Sequence, residues 1–175
     1  MNENINIQAV PSFCLNHIQL DVLRLDELHP IVSGNKWFKL KYYLLQAQKQ
    51  NADTIASFGG PYSNHLVALA YAAKEYNLKS IGYVRSNIDE PITPTLQEAM
   101  QYGMDLKFVG RNNFQEFKKE LIENNQVNHT YFIDEGGYGI LGAQGAATIL
   151  SNEKTNSYNH IICAVGTGTM MAGLI

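Results

Sequence analysis

Apolar and polar positions along the chain follow two periods, one typical of strands and one typical of helices. Residues 18–25 alternate as in a half-buried strand, and apolar side chains from Trp37 to Ala47 are spaced for one face of a helix. Further strands are predicted at residues 54–58, 80–85, 106–109, 131–133 and 160–165, and further helices at 63–73, 93–102, 113–124 and 140–150. Strands separated by helices of this length predict an α/β fold with a parallel sheet.

Turns from strand to helix are where chemistry is expected in such a fold, because its ligands bind beyond the carboxyl ends of the strands. Three of these turns combine glycine with polar or basic side chains, at residues 34–40, 57–65 and 165–173. The polar segments 48–53 and 151–159 are candidate joints between lobes.

Lys36 stands in the first of these turns, directly after Gly34 and Asn35. A cation at a helix N-terminus opposes the helix macrodipole, so a lysine at this position lowers the stability of the helix. A lysine amine with a lowered pKa is suited to forming a Schiff base, which makes Lys36 a candidate nucleophile. A solvated basic face shared with Lys39 and Lys41 is the alternative without any chemistry.

Ser63, Asn64 and His65 close the second turn, after Gly59 and Gly60. The glycines let the backbone approach a ligand, and the polar side chains could bind a carboxylate or a ring oxygen. Plain helix capping is the alternative for Ser63 and Asn64. A hydrolytic pair of Ser63 and His65 is disfavoured, because the sequence has no G-x-S-x-G nucleophile elbow.

Gly166, Thr167, Gly168 and Thr169 form the third turn, before an apolar helix. Backbone amides and hydroxyls in such a turn bind phosphate, and the helix dipole adds to the attraction. A dinucleotide fingerprint would need glycine in place of Met171 and an acidic residue about twenty positions later. The turn therefore predicts a phosphate site, with a tight turn that binds nothing as the alternative.

Composition excludes several classes of partner. The 175 residues include 13 Lys and Arg against 16 Asp and Glu, so the basic excess of a nucleic-acid-binding protein is absent. No apolar run of about 18 residues predicts a membrane helix, and the first residues lack the apolar region of a signal peptide. Cys14 and Cys163 lie outside any C-x-x-C pattern, which favours a reducing, cytoplasmic environment. No metal site is predicted, because the histidines have no ligand spacing.

The last residues of the chain have the pattern of a protein interior. Residues 161–175 are typical of a buried strand, a glycine turn and the first turns of an apolar helix. Chain termini usually lie at the surface and are polar. We therefore expect the chain to be a fragment of a longer protein.

Taken in order, the three turns resemble one family. Residues 23–26 (LRLD), 33–42 (SGNKWFKLKY), 59–65 (GGPYSNH) and 166–169 (GTGT) are similar to the 1-aminocyclopropane-1-carboxylate deaminase and D-cysteine desulfhydrase family of pyridoxal-phosphate enzymes. The likeness spans nearly the whole chain. It implies the fold of the tryptophan synthase β-subunit class, in which two open α/β lobes with parallel sheets hold pyridoxal 5'-phosphate between them.

The resemblance also implies a division into lobes. Residues 1–49 would begin the larger, cofactor-binding lobe, and residues 50–136 would form the smaller lobe. Residues 137–175 would return to the larger lobe and carry the phosphate loop. The C-terminal part of the larger lobe, with the group that faces the pyridine nitrogen, would lie beyond residue 175, and the protein would be a homodimer.

Individual roles follow from the same resemblance. Lys36 would form the Schiff base with the cofactor aldehyde and act as the catalytic acid and base. Ser63 would bind the substrate and assist catalysis, Asn64 would bind the ring oxygen and contact the substrate, and His65 is a further candidate substrate contact. The phosphate would be held by Gly166, Thr167, Gly168 and Thr169.

The implied activity converts a small amino acid, of 1-aminocyclopropane-1-carboxylate or D-cysteine type, to a 2-oxo acid and ammonia. Phe38, Pro61 and Tyr62 depart from the residues usual in the family, so substrate contacts are expected to differ. His65 resembles the desulfhydrase branch more than the deaminases, so a D-cysteine desulfhydrase is one alternative. A non-catalytic truncated or degenerate homologue that keeps the phosphate-binding fold is another, and a nucleotide-dependent oxidoreductase is a third.

Overall fold

Strands and helices alternate in the computed structural model, which describes residues 5–13, 17–87, 89–124, 129–151 and 155–175. The strands are β1 (Ile7–Ala9), β2 (Asp21–Leu23), β3 (Thr54–Gly59), β4 (Lys79–Arg85), β5 (Met104–Val109) and β6 (Thr130–Ile133). The helices are α1 (Lys36–Lys49), α2 (Asn64–Glu75), α3 (Pro94–Gln101), α4 (Phe114–Asn124), α5 (Ile140–Ala147) and α6 (Thr169–Leu174). Cys14 and part of the candidate joint at 151–159 lie outside the described residues.

Four of the strands form a parallel sheet in the order β5-β4-β3-β6. The chain moves outward from β3 through β4 to β5 and then returns to the opposite side of β3 with β6. All of β3 is buried, as expected for the strand at the centre of such a sheet. The predicted α/β fold with a parallel sheet is confirmed.

Helices cover both faces of this sheet. On one face, Ile55 of β3 and Val84 of β4 pack in a core shared with α1, α2 and α3. On the other face, Phe58 of β3 and Tyr83 of β4 pack against Phe114 of α4. Alternate residues of β3 thus reach opposite faces, as strand geometry requires.

A second, smaller core lies where α5 crosses α1. It contains Phe38 of α1 with Ala146 and Ile149. The two helices approach so closely that a Cβ added at Gly145 would lie 1.8 Å from the carbonyl oxygen of Phe38. This crossing joins residues more than a hundred positions apart and holds α1 beside the last part of the chain.

Two of the predicted strands differ from the structure. The strand predicted at 18–25 is limited to Asp21–Leu23, which pairs antiparallel with β1, because Leu25 begins a 3-10 turn that leads toward α1. The strand predicted at 160–165 is wrong, since no described residue pairs with this extended segment. Most of its side chains are accordingly exposed, Ile162 by 88%, whereas Cys163 is half-buried.

None of the helices in the described part of the chain is both long and apolar enough to cross a membrane.

Candidate functional site

A cleft of about 220 Å³ opens between the start of α1, the turn after β6 and the segment before α6. It is lined by Asn35, Lys36, Lys39, Gly136, residues 164–168, Met170 and Met171. The turn after β6 follows the strand that reverses the strand order of the sheet. Such a reversal is the place where open α/β sheets bind ligands.

Lys36 is the first residue of α1 and lines the cleft. Gly34, with φ of 66°, makes the left-handed turn that leads into the helix. The Lys36 Nζ donates to Asn35 Oδ1 at 3.2 Å, and burial lowers the pKa of the amine. The lowered pKa increases the fraction of Lys36 in the uncharged, nucleophilic form.

Lys39 lies one helical turn further and is only 5% exposed. Burial, and the nearby charge of Lys36, lower the pKa of the Lys39 amine to about 8. None of the described carboxylates forms an ion pair with either amine. The expectation that Lys39 belongs to a solvated basic face is therefore wrong, because α1 turns this residue toward the cleft and not toward water.

The Gly136–Gly137 turn connects β6 with α5 and forms the floor between the two lysines and the last loop. Both glycines have left-handed backbones, with φ of 66° and 71°. A Cβ at Gly136 would lie 3.0 Å from Thr167 Cγ2, and a Cβ at Gly137 would lie 3.4 Å from Lys39 Cε and 3.7 Å from His65 Cε1. This double-glycine turn thus touches three separate parts of the site.

The Gly166–Thr169 segment forms the wall opposite the lysines. Gly168 is left-handed, with φ of 77°, and the Thr167 and Thr169 hydroxyl oxygens are 3.0 Å apart. A Cβ at Gly166 would meet no atom within 4 Å, so this side of the loop is open. Amides and hydroxyls of this loop are available to an anion in the cleft.

Ser63, Asn64 and His65 lie at the start of α2, outside the lining of the cleft. The Ser63 hydroxyl accepts the Leu66 backbone N–H at 3.4 Å, which confirms it as the helix N-cap. The Asn64 side chain is exposed. The His65 side chain is buried against the sheet, and its Nε2 lies 2.9 Å from Ser57 Oγ.

The His65 imidazole is electrically neutral. Burial, together with the charges of Lys39 and Lys36, lowers its pKa to about 3. Its Nδ1 has no hydrogen-bond partner among the described residues. The His65 ring therefore lies next to Gly137 and Lys39, close to the cleft but outside its lining.

The structure brings Lys36 together with Gly166, Thr167 and Gly168 in one cleft, and Thr169 follows them, buried at the start of α6. Lys39 and the double-glycine turn were not singled out from the sequence. The spacing of Lys36 and Lys39 could have identified the second lysine, because residues three apart share a helix face. Among the described residues, no group of three or more His, Cys, Asp or Glu side chains is placed to hold a metal ion.

A family of known proteins matches almost all of this chain. The matched region is residues 15–175, and the family is described as pyridoxal-phosphate dependent enzyme. The chain belongs to this family. The cofactor named in that description contains an aldehyde and a phosphate, and the cleft offers a lysine amine and an anion-binding loop to such a group.

Relatives within this pyridoxal-phosphate dependent family carry related names. A Thermotoga maritima protein, provisionally named 1-aminocyclopropane-1-carboxylate deaminase, is 32% identical over 87% of this chain and 52% of its own length. The bifunctional D-cysteine desulfhydrase/1-aminocyclopropane-1-carboxylate deaminase, mitochondrial, of Arabidopsis thaliana is 27% identical over 97% of this chain and 46% of its own length. The chain thus spans about half the length of the curated relatives it matches.

Solved structures support the same fold. The crystal structure of an ACC deaminase homologue superposes with a TM-score of 0.80 at 24% identity, over 97% of this chain and 55% of that one. A pyridoxal 5'-phosphate-dependent aspartate racemase gives a TM-score of 0.74 at 17% identity, over 97% of this chain and 52% of that one.

Proposed function

We propose that this chain holds pyridoxal 5'-phosphate in the cleft, with Lys36 as the lysine that bonds to it, as part of an enzyme acting on a small amino acid. The substrate would be of the 1-aminocyclopropane-1-carboxylate or D-cysteine type. The products would be a 2-oxo acid and ammonia, with sulfide in addition when the substrate is of the D-cysteine type. The names of the Thermotoga and Arabidopsis relatives support this choice of substrate class.

One observation carries the proposal: the half-buried Lys36 and the buried Lys39 face a glycine-threonine loop across a cleft whose described lining contains no carboxylate. Burying a cation without a counterion is unfavourable, so the cleft favours an anionic occupant. A bound phosphate would supply the missing negative charge and raise the pKa of Lys39 again. The donor set therefore fits the phosphate of the cofactor.

In this proposal, the two lysines and the glycine-threonine loop of the cleft have different roles. Lys36 would supply the amine for the covalent bond, and once freed by the substrate this amine would serve as the general acid and base that moves protons to and from the substrate carbons. Lys39 and the loop from Gly166 to Thr169 hold the phosphate. When bound, the cofactor supplies an electron sink, while the protein orients the reactants.

Ser63, Asn64 and His65 are assigned to the substrate side. They follow β3, the neighbour of β6, so they stand at the same edge of the sheet as the cleft. The Ser63 hydroxyl and the exposed Asn64 amide could bind a carboxylate. The buried His65 ring would instead fix the position of α2, and with it the positions of Ser63 and Asn64.

Cofactor binding without turnover is the second candidate. It is favoured by the place of Ser63 and Asn64 outside the lining of the cleft. We propose that the reaction is either the opening of a cyclopropane ring or the removal of sulfide. We also propose that the chain divides into lobes at 1–49, 50–136 and 137–175, that the protein forms a homodimer and that it is located in the cytoplasm.

The test is chemical labelling of the purified chain. The chain is incubated with pyridoxal 5'-phosphate, reduced with borohydride and digested, and the labelled peptides are identified by mass spectrometry. We expect one dominant label, on Lys36, which Lys36→Met removes and Lys49→Met, a matched change at the exposed end of α1, leaves in place. Label spread evenly over surface lysines would contradict the proposal.

Turnover is measured separately, as 2-oxo acid formed from D-cysteine and from 1-aminocyclopropane-1-carboxylate. Label on Lys36 with product from either substrate supports the enzyme. Label on Lys36 with no product supports binding without turnover.

A further inference from the structure

We propose that Lys118 and Arg85, two cations on the far face of the sheet, are positioning residues that fix the double-glycine turn at the floor of the cleft. Together with Asp134 and Glu135 they form what we call the cation clamp. The inference rests on the proposed function, because the position it explains is that of the cofactor cleft.

Each cation of the clamp meets one of two consecutive acidic residues. The Lys118 amine, from α4, pairs with Asp134 Oδ1, and both side chains are mostly buried. The Arg85 Nη2, at the end of β4, lies 4.0 Å from Glu135 Oε1. The acidic pair directly precedes Gly136, so α4 and β4 both attach to the chain just before the turn.

Buried aromatic rings hold these cations in place. The Lys118 Nζ lies 5.7 Å from the centroid of the Phe58 ring, and the Arg85 Cζ lies 5.6 Å from that of Phe114. Both rings are fully buried and meet edge to face at 6.3 Å. A cation over a buried ring is attracted to it, so these contacts link the two cations, and through their ion pairs the turn, to the core of the sheet.

Asp134 also shapes the turn itself. Its Oδ1 accepts the Glu135 backbone N–H at 2.5 Å, and its carbonyl oxygen accepts the Gly137 N–H at 2.9 Å. The carboxylate thus joins an ion pair to a backbone cap. Loss of the ion pair would free the side chain that defines where the turn begins.

The turn lies directly beside both sides of the cleft. A Cβ added at Gly136 would lie 3.0 Å from Thr167 Cγ2, closer than ordinary van der Waals contact, and one added at Gly137 would lie at ordinary contact distance from Lys39 Cε (3.4 Å) and His65 Cε1 (3.7 Å). A shift of the turn would therefore change the distance between Lys39 and the loop opposite. That distance decides how well one anion can contact both.

The experiment compares Lys118→Met with Lys119→Met in the full chain. Lys119 is the next residue of α4, and its amine lies 3.9 Å from Glu123 in a well-exposed pair, so it shares the helix and the side-chain type of Lys118 but neither its burial nor its clamp contacts. Affinity for pyridoxal 5'-phosphate is measured by absorbance titration, and folding by thermal unfolding. We expect about fivefold weaker binding for Lys118→Met and no change for Lys119→Met.

Two further variants separate positioning from general stability. Lys118→Arg keeps the charge, so it should restore affinity. Asp134→Asn keeps an oxygen for the Glu135 N–H but loses the ion pair, so it should match Lys118→Met, and the double variant should be no weaker than either single one. In Lys118→Met the amides of Gly137 and Tyr138 should exchange with solvent faster than in Lys119→Met.

The possible failures can be told apart. Failure of the unaltered chain to bind the cofactor contradicts the proposed function. Binding by the unaltered chain with equal affinity in Lys118→Met, or no rescue by Lys118→Arg, overturns the clamp and leaves the proposed function standing.

Discussion

Lys36 and Lys39 are two cations on one face of one helix, and both lose hydration when the chain folds. The pKa of each amine is lowered by burial, and that of Lys39 falls further because of Lys36. Burial of like charges without a carboxylate destabilises the folded state. At this position the fold contains a destabilising feature that a bound anion would relieve.

Lys39→Met is therefore expected to stabilise the chain and to weaken its binding of the cofactor. The pKa of Lys39 is about 8 when folded against 10.5 for a free lysine, so between these values the unfolded chain binds more protons. The free energy of unfolding of the original chain should then rise with pH across this window. At pH 7 the variant should be more stable by about 2 kcal/mol, and the difference should shrink toward pH 10.

The measurement is urea unfolding of both proteins at pH 7 and at pH 10. Lys49→Met, in the same helix but exposed, serves as the control and should change little at either pH. A Lys39→Met variant less stable than the original at pH 7 would contradict this account of the buried charge.

Sequence patterns identified Lys36 but not the burial of Lys39, for a physical reason. A helix start, a preceding glycine and a lysine are all local features, visible within a few residues. The atoms that bury Lys39 belong to the turn at Gly137, almost a hundred positions away. No periodicity in α1 reports which distant segment covers its polar face.

At the level of elements, the crossing of α5 over α1 decides where the two lysines stand. Gly145 permits this crossing, since an added Cβ would lie 1.8 Å from the Phe38 carbonyl oxygen. Backbone atoms on both sides cannot yield as a flexible side chain would. The helices must separate if this position carries any larger residue.

Gly145→Ala should destabilise the fold by about 3 kcal/mol, although alanine favours a helix more than glycine does. Gly110→Ala is the control, because a Cβ there would meet no atom within 4 Å. Thermal unfolding and cofactor affinity are compared for both variants. An unchanged melting temperature in Gly145→Ala would show that the helices do not pack this closely in solution.

Sequence patterns predicted well the strands of the four-stranded sheet and most of the helices. Strands β3 to β6 and helices α1 to α5 occur close to their predicted places. The strand predicted at 160–165 failed because an apolar run becomes a strand only when another strand pairs with it. Hydrophobic spacing indicates the capacity to pair but not the presence of a partner.

At the scale of the whole molecule, the described part of the chain combines a four-stranded sheet packed on both faces with an apolar segment in contact with solvent. Ile161, Ile162 and Val165 are more than half exposed. No backbone hydrogen bond connects residues 161–165 to any other described residue. This segment is therefore the least protected apolar part of the described chain.

Amide hydrogen exchange should separate the two regions. Amides of residues 161–165 should exchange at nearly the rate of an unstructured peptide, and those of Ile55, Ala56 and Phe58 should exchange on the order of a thousandfold more slowly. Mass spectrometry of digested fragments resolves both segments in one experiment. Strong protection at 161–165 would contradict the unpaired conformation.

The order of these segments along the chain also determines when the sheet and the cleft can form during synthesis on the ribosome. All four strands of the sheet are present once Ile133 has been made, whereas the wall opposite Lys36 needs residues up to Met171. At typical translation rates that interval is about 2 to 8 seconds. The nascent chain can thus complete its sheet first. Lys36 and Lys39 remain in contact with water until the segment from Gly166 to Thr169 has been synthesised and packs opposite them.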